Sequence, residues 1–228
     1  MRFNQENKDK FTKAAAVIQD NHRSQAKEDV ARLTREYSLH NPTKKVFDSP
    51  VGIWEAIQSL GLVHDPTDKD LWAISQLTHT TQVVESMEKD GVTDEELIVT
   101  AWLHDLGKLL LLTDEDPANI VCLNHVVAGD AGAGLDNCVC TWNHDEYAYQ
   151  KLKHLLPERS AWLLRYHSLH LGQVEPYLNH SDREKVKQWL RPFMKHDKES
   201  KSVYNFPQLD WRKHRRLLES YLPGKLVL

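Results

Sequence analysis

The amino-acid sequence predicts an all-α protein built as a single domain, and three observations support this prediction. Apolar residues recur at three- and four-residue spacing through most of the chain, which is the pattern of amphipathic helices. No segment shows a convincing alternation of apolar and polar residues, the pattern of a half-exposed strand. The chain has 228 residues, 40% of them hydrophobic, with only 9 glycines and 9 prolines, so it can bury a core with few interruptions.

The helical periodicity divides the chain into segments separated by turn-forming residues. The proline-containing stretch 40–50 and the glycine-rich stretch 113–134 are predicted to be loops. Gly61 is predicted to cap the helix before it, and Asp94 the helix after it. The predicted helical segments are 10–37 (a helix pair), 51–60, 71–89, 96–112, 145–156, 160–169, 182–196 and 211–222.

Composition argues against several classes of partner and location. The net charge is -4 at pH 7 and basic residues form no block, so we expect no nucleic-acid partner. The three cysteines, Cys122, Cys138 and Cys140, give no disulfide framework, which favours a reducing compartment. No signal-peptide pattern and no apolar run of bilayer-spanning length is present. We therefore expect a cytoplasmic protein with no membrane partner, and we take it to be a monomer.

A His-Asp pair, His104-Asp105, lies in the segment 96–112, which is hydrophobic almost all round. A helix of that character is a buried one. Burying a polar group without a partner costs about 2–7 kcal/mol, and burying an unpaired charge costs more. A metal ion is a partner that satisfies an imidazole and a carboxylate together, so the pair predicts a metal site.

Four further residues, His79, His144, His167 and Asp197, lie in or at the end of predicted helices with apolar faces. A single buried histidine is more often a hydrogen-bonded core residue, but helices that pack together can project several such ligands into one interior site. Imidazole nitrogen mixed with carboxylate oxygen suits iron and other first-row metals, and one carboxylate can bridge two ions. The set therefore predicts a metal centre between helices.

The chain resembles the myo-inositol oxygenase family. The order of His79, His104-Asp105 and Asp197 is similar to the ligand order of the HD-domain superfamily, to which that family belongs. The resemblance covers most of the chain. The segments that carry it are HDLGK (104–108), GLDNCVCTWNHDEYAYQ (134–150), RYHS (165–168), WLRPFMKHDKESK (189–201) and LLESYLPGKLVL (217–228).

The resemblance implies an HD-domain-like helical bundle that holds two iron ions (Fe²⁺/Fe³⁺). It divides the single domain 1–228 into N-terminal helices (1–62), a di-iron core (63–201) and a C-terminal helix and tail (202–228). The implied ligands are His79, His104, Asp105 and Asp197 for one iron and His144 and His167 for the other, with Asp105 as the bridge.

The resemblance also implies a set of residues that contact the substrate. Lys108 follows His104 by four residues, which in a helix places it on the same face, one turn on. It is the implied catalytic residue, since beside a metal it can hydrogen-bond a substrate hydroxyl or alkoxide. The implied substrate-binding residues are Arg2, Asp65, Asp68, Lys108, Gly129, Asp130, Ser168 and Lys201.

The implied activity is cleavage of a carbon–carbon bond of a polyol by O₂, with D-glucuronate as the product from myo-inositol. The chain departs from the family in a region that bears on the substrate. Only the segment 109–133 separates HDLGK from GLDN in this chain. The family carries a longer insertion there, with a Gly-Asp pair that contacts the substrate. The pair Gly129-Asp130 is present here in a different local sequence. The metal ligands that the resemblance implies are therefore all present, whereas the segment expected to form one wall of the substrate pocket differs from that of the family.

Three alternatives stay open on the sequence. The first is a related HD di-iron oxygenase that acts on a smaller hydroxylated substrate such as a hydroxyphosphonate, which the compact segment 109–133 favours. The second is an HD-type metal-dependent phosphohydrolase, against which His144 and His167 argue. The third is a helical scaffold that keeps the site without turnover.

Overall fold

Helices account for most of the chain in this computed structural model, which describes residues 5–228; the predicted substrate residue Arg2 lies outside the described residues. The α-helices are α1 (Gln5–Arg23), α2 (Lys27–Glu36), α3 (Ile53–Ser59), α4 (Lys69–Ala73), α5 (Gln76–Lys89), α6 (Glu95–Leu103), α7 (His144–Leu152), α8 (Glu158–Tyr166), α9 (Leu171–Val174), α10 (His180–Lys185), α11 (Arg191–Glu199) and α12 (Trp211–Tyr221). The 3₁₀ turns are Leu60–Leu62, Leu106–Leu112, Pro117–Asn119, Leu135–Asn137 and Glu175–Tyr177, and a π-helical turn, Val186–Leu190, joins α10 to α11.

Two short antiparallel ribbons complete the described fold. β1 (Val51–Gly52) pairs with β4 (Lys225–Leu226), and β2 (Val126–Ala128) pairs with β3 (Val139–Cys140) around a bulge. The sequence showed no strands because two or three residues are too few to display an alternating pattern. The prediction of an all-α single domain is confirmed.

The main core is built around α6, whose residues from Ile98 to Leu103 are all buried. Trp102 and Leu103 are fully buried and belong to one apolar cluster with Met87 of α5, Leu164 of α8 and Leu218 of α12. Full burial of a large apolar side chain contributes about 1.5–3 kcal/mol. α5, α8 and α12 all pack against α6, which is therefore the central helix of this core.

A second cluster attaches the N-terminal helices to the rest of the domain. Tyr37, which follows α2, stacks on Trp142 with ring centroids 5.1 Å apart and meets Tyr147 of α7 edge-on at 5.6 Å. The Tyr37 hydroxyl donates a hydrogen bond of 2.9 Å to Glu115, and Lys44 Nζ donates one of 2.7 Å to the same carboxylate. The segment after α6 is thereby held to the N-terminal helices.

The predicted helix 71–89 is two helices. Asp68 caps α4 through Asp70 N and Leu71 N, and Ser75 caps α5 by accepting a hydrogen bond of 3.2 Å from Thr78 N. Serine and aspartate favour such caps because the side-chain oxygen satisfies a free N–H of the first turn. A helix cap in the middle of a stretch with helical periodicity divides the stretch into two helices, and the periodicity of the apolar residues alone does not reveal the division.

The prediction of one helix over 96–112 is wrong for the second half of that stretch. Asp94 caps α6 as expected, but α6 ends at Leu103 and the chain continues as a 3₁₀ turn. This turn packs closely against α7: a Cβ on Gly107 would lie 2.0 Å from the carbonyl oxygen of His144. His104-Asp105 therefore lies where the two kinds of helix join, and Gly61 likewise lies inside a 3₁₀ turn instead of capping α3.

The remaining predicted helices are confirmed with shifted ends. α7 and α8 each stop before the predicted end, and the stretch predicted as 182–196 extends from His180 to Glu199 through the π turn. Within residues 5–228, none of the helices combines the length and apolar character needed to cross a lipid bilayer.

Lys151 of α7 is a buried cation whose removal should stabilise the protein. Its Nζ donates to Ser38 O at 3.2 Å, and burial lowers its pKa from 10.5 to about 8. We expect Lys151→Met to raise the free energy of unfolding at pH 7 by about 1–2 kcal/mol, because the cost of burying the charge is removed. This difference in the free energy of unfolding should shrink as the pH rises from 8 towards 10.5. In that range Lys151 has lost its proton in the folded wild type but keeps it in the unfolded chain, so wild type becomes more stable as the pH rises.

Urea unfolding of wild type and Lys151→Met at several pH values measures this effect. Lys153→Met, at an exposed lysine just after the same helix, serves as the matched control and should change stability little. A Lys151→Met variant that is less stable than wild type at pH 7 would contradict the prediction.

Candidate metal centre

Two groups of buried ligands lie side by side and share one residue. His79, His104 and Asp105 form one group, and Asp105, His144 and His167 form the other. Within each group the ligand atoms all lie within 4.8 Å of one another. A carboxylate common to two groups of histidines is the arrangement that a bridged pair of ions requires.

The first group includes a second carboxylate. Asp197 Oδ1 lies 3.0 Å from His79 Nε2 and 3.7 Å from His104 Nε2. Asp105 Oδ2 lies 3.7 Å from His79 Nε2 and 3.3 Å from His104 Nε2. Two imidazole nitrogens and two carboxylate oxygens thus form one compact donor set.

The second group uses the other oxygen of the shared carboxylate. Asp105 Oδ1 lies 3.2 Å from His144 Nε2 and 3.6 Å from His167 Nε2. Because Oδ2 faces the first pair of histidines and Oδ1 faces the second, the two oxygens of Asp105 point to different donor sets. The side chain is in the orientation of a bridging ligand.

The six predicted ligands converge from five helices, and four of them lie at helix ends. His104 and Asp105 lie where α6 ends and the 3₁₀ turn that contacts α7 begins. The ligands are His79 in α5, His104 and Asp105 just after α6, His144 at the start of α7, His167 just after α8 and Asp197 in α11.

Backbone carbonyls fix the tautomer of three of the histidines. The Nδ1–H of His104 donates to Ala101 O at 2.7 Å, and that of His144 donates to Ile120 O at 2.7 Å. His167 Nδ1–H donates to Leu164 O at 3.3 Å. A neutral imidazole with a proton on Nδ1 presents the lone pair of Nε2, which is the form that binds a metal.

Unpartnered atoms at the centre of the site test whether a metal fits. His104 Nε2 and His144 Nε2 are buried without a hydrogen-bond partner among the described residues. Buried polar atoms of folded proteins nearly always have a partner, so such a pair marks a missing one. A cation accepted by both nitrogens and the adjacent carboxylates satisfies them all, and the residues therefore fit a metal ion.

Asp105 and Lys108 form a buried ion pair. Burial alone raises the pKa of the Asp105 carboxyl, but the charges of Lys108 and His104 outweigh burial and hold this pKa well below its usual range. Burial alone lowers the pKa of Lys108, but oxygens of Asp105 and Asp65, each 3.1 Å from Nζ, raise this pKa above its ordinary value. Asp105 is thus a carboxylate and Lys108 an ammonium.

The field of the site favours positive charge on His144. Burial works against a charged His144, but the carboxylates of Asp145 and Asp105 outweigh it and raise the pKa of His144 to about 10. The carboxylates that stabilise a proton here would stabilise a metal cation in its place. Metal binding at His144 should therefore release a proton.

A cavity of about 440 Å³ opens onto the centre and includes most of the predicted substrate residues. Lys201 Nζ is paired with Asp68 Oδ2 at 3.0 Å on one side of it. Lys108 and Asp65 lie deeper, next to Asp105. The predicted substrate-binding residues that line the cavity are Asp65, Asp68, Lys108, Ser168 and Lys201.

Gly129 and Asp130 are not among the described residues that line the cavity, so the structure does not bring this predicted contact to the site. Gly129 packs against Cys138, whose Sγ would lie 2.4 Å from a Cβ at this position, and Asp130 is exposed. The ribbon of β2 and β3 holds the pair away from the centre. Cys122 and Leu123, earlier in the same segment, line the cavity together with His22 of α1.

Two residues that touch the ligands were missed by sequence reasoning. Gln76 Nε2 donates a hydrogen bond of 2.7 Å to Asp105 Oδ2, and Asp145 Oδ1 lies 2.9 Å from His144 Nε2. Asp145 could have been found from the sequence, because it belongs to a His-Asp pair and the aspartates of all such pairs in the sequence lie at this site. The four pairs are His64-Asp65, His104-Asp105, His144-Asp145 and His196-Asp197.

The helical fold and the two buried histidine groups around Asp105 define an all-α protein with a candidate metal centre. Comparison with protein families is consistent with this class: the family model described as Myo-inositol oxygenase matches residues 12–131 and 124–228. The chain belongs to the myo-inositol oxygenase family.

Similar proteins come from plants and animals. The chain is 32% identical to a "Probable inositol oxygenase" of Oryza sativa subsp. japonica, with 90% of this chain and 78% of the relative covered. It is 30% identical to "Inositol oxygenase 1" of Arabidopsis thaliana over 90% of this chain and 77% of the relative. It is 24% identical to "Inositol oxygenase" of Danio rerio over 77% of each chain.

The alignment with the Oryza sativa relative shows that the relative has residues with no counterpart in this chain, because it runs over 250 positions, more than the 228 residues of this chain. The two parts of the family match overlap at 124–131, within the segment that the sequence analysis identifies as short.

The shared carboxylate should be needed for metal binding by both groups of histidines. We expect Asp105→Asn to lower the iron content of protein loaded anaerobically with Fe²⁺ by at least half relative to wild type, since a neutral amide is a weak metal ligand and a poor bridge between two donor sets. Iron analysis by plasma mass spectrometry after gel filtration measures this content. Asp114→Asn, at an exposed position, is the matched control and should keep the wild-type content. Two firmly bound ions in Asp105→Asn would refute the bridging role.

Proposed function

We propose that this protein is a non-haem di-iron oxygenase that uses O₂ to cleave a carbon–carbon bond of a myo-inositol-like polyol, with D-glucuronate as the product from myo-inositol. The observation that carries the proposal is the orientation of Asp105, whose two oxygens face two separate pairs of histidines. Membership of the myo-inositol oxygenase family and the names of the similar proteins support the reaction class.

The donor set supports iron as the metal. Imidazole nitrogens mixed with carboxylate oxygens suit iron and other first-row ions better than zinc-type thiolate sites or all-oxygen magnesium sites. One ion would be held by His79, His104, Asp105 and Asp197, and the other by Asp105, His144 and His167 in the same cluster. When bound, the metals supply Lewis-acid activation of a substrate hydroxyl and the electrons for the reaction with O₂.

Lys108 is the residue that we assign to the reacting hydroxyl. Its ammonium group has three N–H donors, and two of them are directed to Asp105 and Asp65, each 3.1 Å away. The third is free to donate to a substrate oxygen in the cavity that Lys108 lines. Because the raised pKa of Lys108 keeps it protonated, it acts by stabilising negative charge on the substrate oxygen and not as a base.

The rest of the cavity suits a small molecule with many hydroxyl groups. Its volume of about 440 Å³ lies in the range of small-molecule sites, so a six-membered polyol fits. The ion pair of Asp68 and Lys201, which lines the cavity, offers hydrogen-bond acceptors and donors to such a molecule. Ser168 adds a hydroxyl next to His167. Cytoplasmic location and a monomeric state stay predictions from the sequence.

Iron loading followed by exposure to O₂ tests the proposal. Protein reconstituted anaerobically with Fe²⁺ is mixed with O₂ and myo-inositol, and oxygen uptake and products are followed by electrode and mass spectrometry. We expect oxygen uptake that depends on myo-inositol, with glucuronate formed. Uptake only with a hydroxyphosphonate, or phosphate release from nucleotides without oxygen uptake, would replace the proposal with one of the alternatives from the sequence.

Lys108→Met should lower kcat/KM for the polyol by on the order of 10²-fold, because a charge-assisted hydrogen bond to the developing alkoxide is lost. Iron content should stay near the wild-type value, since Lys108 is not a ligand in the proposed cluster. Steady-state oxygen uptake measures the rate and metal analysis checks the site. Lys195→Met, an exposed lysine of α11, is the control. Unchanged kcat/KM in Lys108→Met would remove Lys108 from the mechanism.

A further inference from the structure

Leu123 is the only exposed large apolar side chain among the described residues that line the cavity next to the candidate metal centre. Its exposed fraction is 50%. A single exposed leucine on an outer surface is ordinary, but this one borders a space that also contains two ion pairs. The pairs are Asp65 with Lys108 and Asp68 with Lys201.

Hydrogen bonds hold the backbone on both sides of Leu123. Before it, Cys122 O accepts a hydrogen bond of 3.1 Å from Asn143 Nδ2. After it, the backbone N–H of Asn124 donates to Ser168 O at 2.9 Å. The position of Leu123 is therefore set by the segments that carry the second pair of histidines.

The side of the chain on which Leu123 lies follows from the extended backbone after it. Asn124 is buried and forms an isolated parallel bridge with Leu169. Successive side chains of an extended chain point to opposite sides. Leu123 and His125 therefore share the side opposite to Asn124, and both line the cavity.

Cys122, which also lines the cavity, has a strained backbone. Its φ is 120°, in the region that favours glycine. A residue with a side chain keeps such a conformation only where the surrounding structure imposes it, and such residues cluster at functional sites. Burial raises the pKa of the Cys122 thiol to about 12, so it stays a neutral group and a weak hydrogen-bond donor. Cys122 and Leu123 thus place two side chains of little polarity next to each other in the cavity.

The neighbouring cavity residues add no unpaired charge to this wall among the residues that the structure describes. Burial lowers the pKa of His22 to about 4, so its imidazole is neutral, and its Nδ1–H donates to Ala118 O at 2.8 Å. The ring of His22 meets the ring of His125 edge-on, with centroids 5.7 Å apart. Arg23 is paired with Asp20.

We propose that Leu123 is a specificity-determining residue, and that the substrate is a polyol with one edge free of hydroxyl groups, such as a methyl ether or a deoxy derivative of a cyclitol. The inference rests on the proposed function and narrows its substrate class. A hydroxyl turned towards Leu123 loses its hydrogen bonds to water and gains none from the leucine side chain. A methyl or methylene group in the same place buries apolar surface against it.

Anaerobic binding measurements test the proposal without depending on turnover. Protein loaded with Fe²⁺ is titrated by calorimetry with myo-inositol and with its mono-O-methyl and monodeoxy derivatives. In wild type we expect at least one derivative to bind about 10–100-fold more tightly than myo-inositol, the range over which an apolar pocket discriminates against a hydroxyl. Leu123→Asn, which has a similar size and adds an amide, should lower this preference at least 10-fold. Leu155→Asn, at an exposed leucine outside the cavity, is the matched control and should keep the wild-type preference.

The iron content of Leu123→Asn should equal that of wild type, since Leu123 is not a predicted ligand, and this content reports that the variant is folded. Binding of myo-inositol by wild type as tightly as every derivative would overturn the proposal, and so would an unchanged preference in Leu123→Asn. Oxygen uptake is measured separately. If none of these compounds supports it, the proposed function fails, while the binding preference still reports on the role of Leu123.

Discussion

The carboxylate of Asp105 is the group on which the rest of the site depends. It is buried, and Lys108, Gln76 and four imidazoles surround it at 2.7–3.7 Å. A charge in this position is stable only if all of these partners are held in place, so the helices that carry them are fixed relative to one another by the same requirement. The apolar cluster around Trp102 includes residues of α5, α6 and α8, so the same helices are also held together by packing.

The placement of the ligands at helix ends follows from hydrogen-bonding geometry. A residue just past the last helical turn can turn its side chain towards a neighbouring helix, and carbonyl oxygens there are free to accept. His104 and His167 use such carbonyls, from Ala101 and Leu164, to fix their tautomers. The backbone that ends each helix thus also prepares each imidazole for a metal.

Much of this could be predicted from the sequence, for reasons that differ between residues. His104-Asp105 was visible because a polar pair in an apolar segment is costly, and the helices were visible from their periodicity. The break after Leu103 was not visible, because the contact between Gly107 and α7 is between residues far apart in the chain. The displacement of Gly129 and Asp130 from the cavity was hidden for the same reason, since a ribbon with β3 causes it. The place of Asp145 at the site became apparent only from its contacts in the structure, since a His-Asp pair by itself is weak evidence.

The absence of a side chain at Gly107 sets a length scale for the centre. The backbone of the 3₁₀ turn that carries Lys108 lies directly against the carbonyl of His144, with no room for even one carbon atom between them. The spacing between the segment that supplies Asp105 and the helix that supplies His144 is therefore one that only glycine at position 107 permits. Any larger residue there would push the two segments apart, so the size of residue 107 limits the distance between Asp105 and His144.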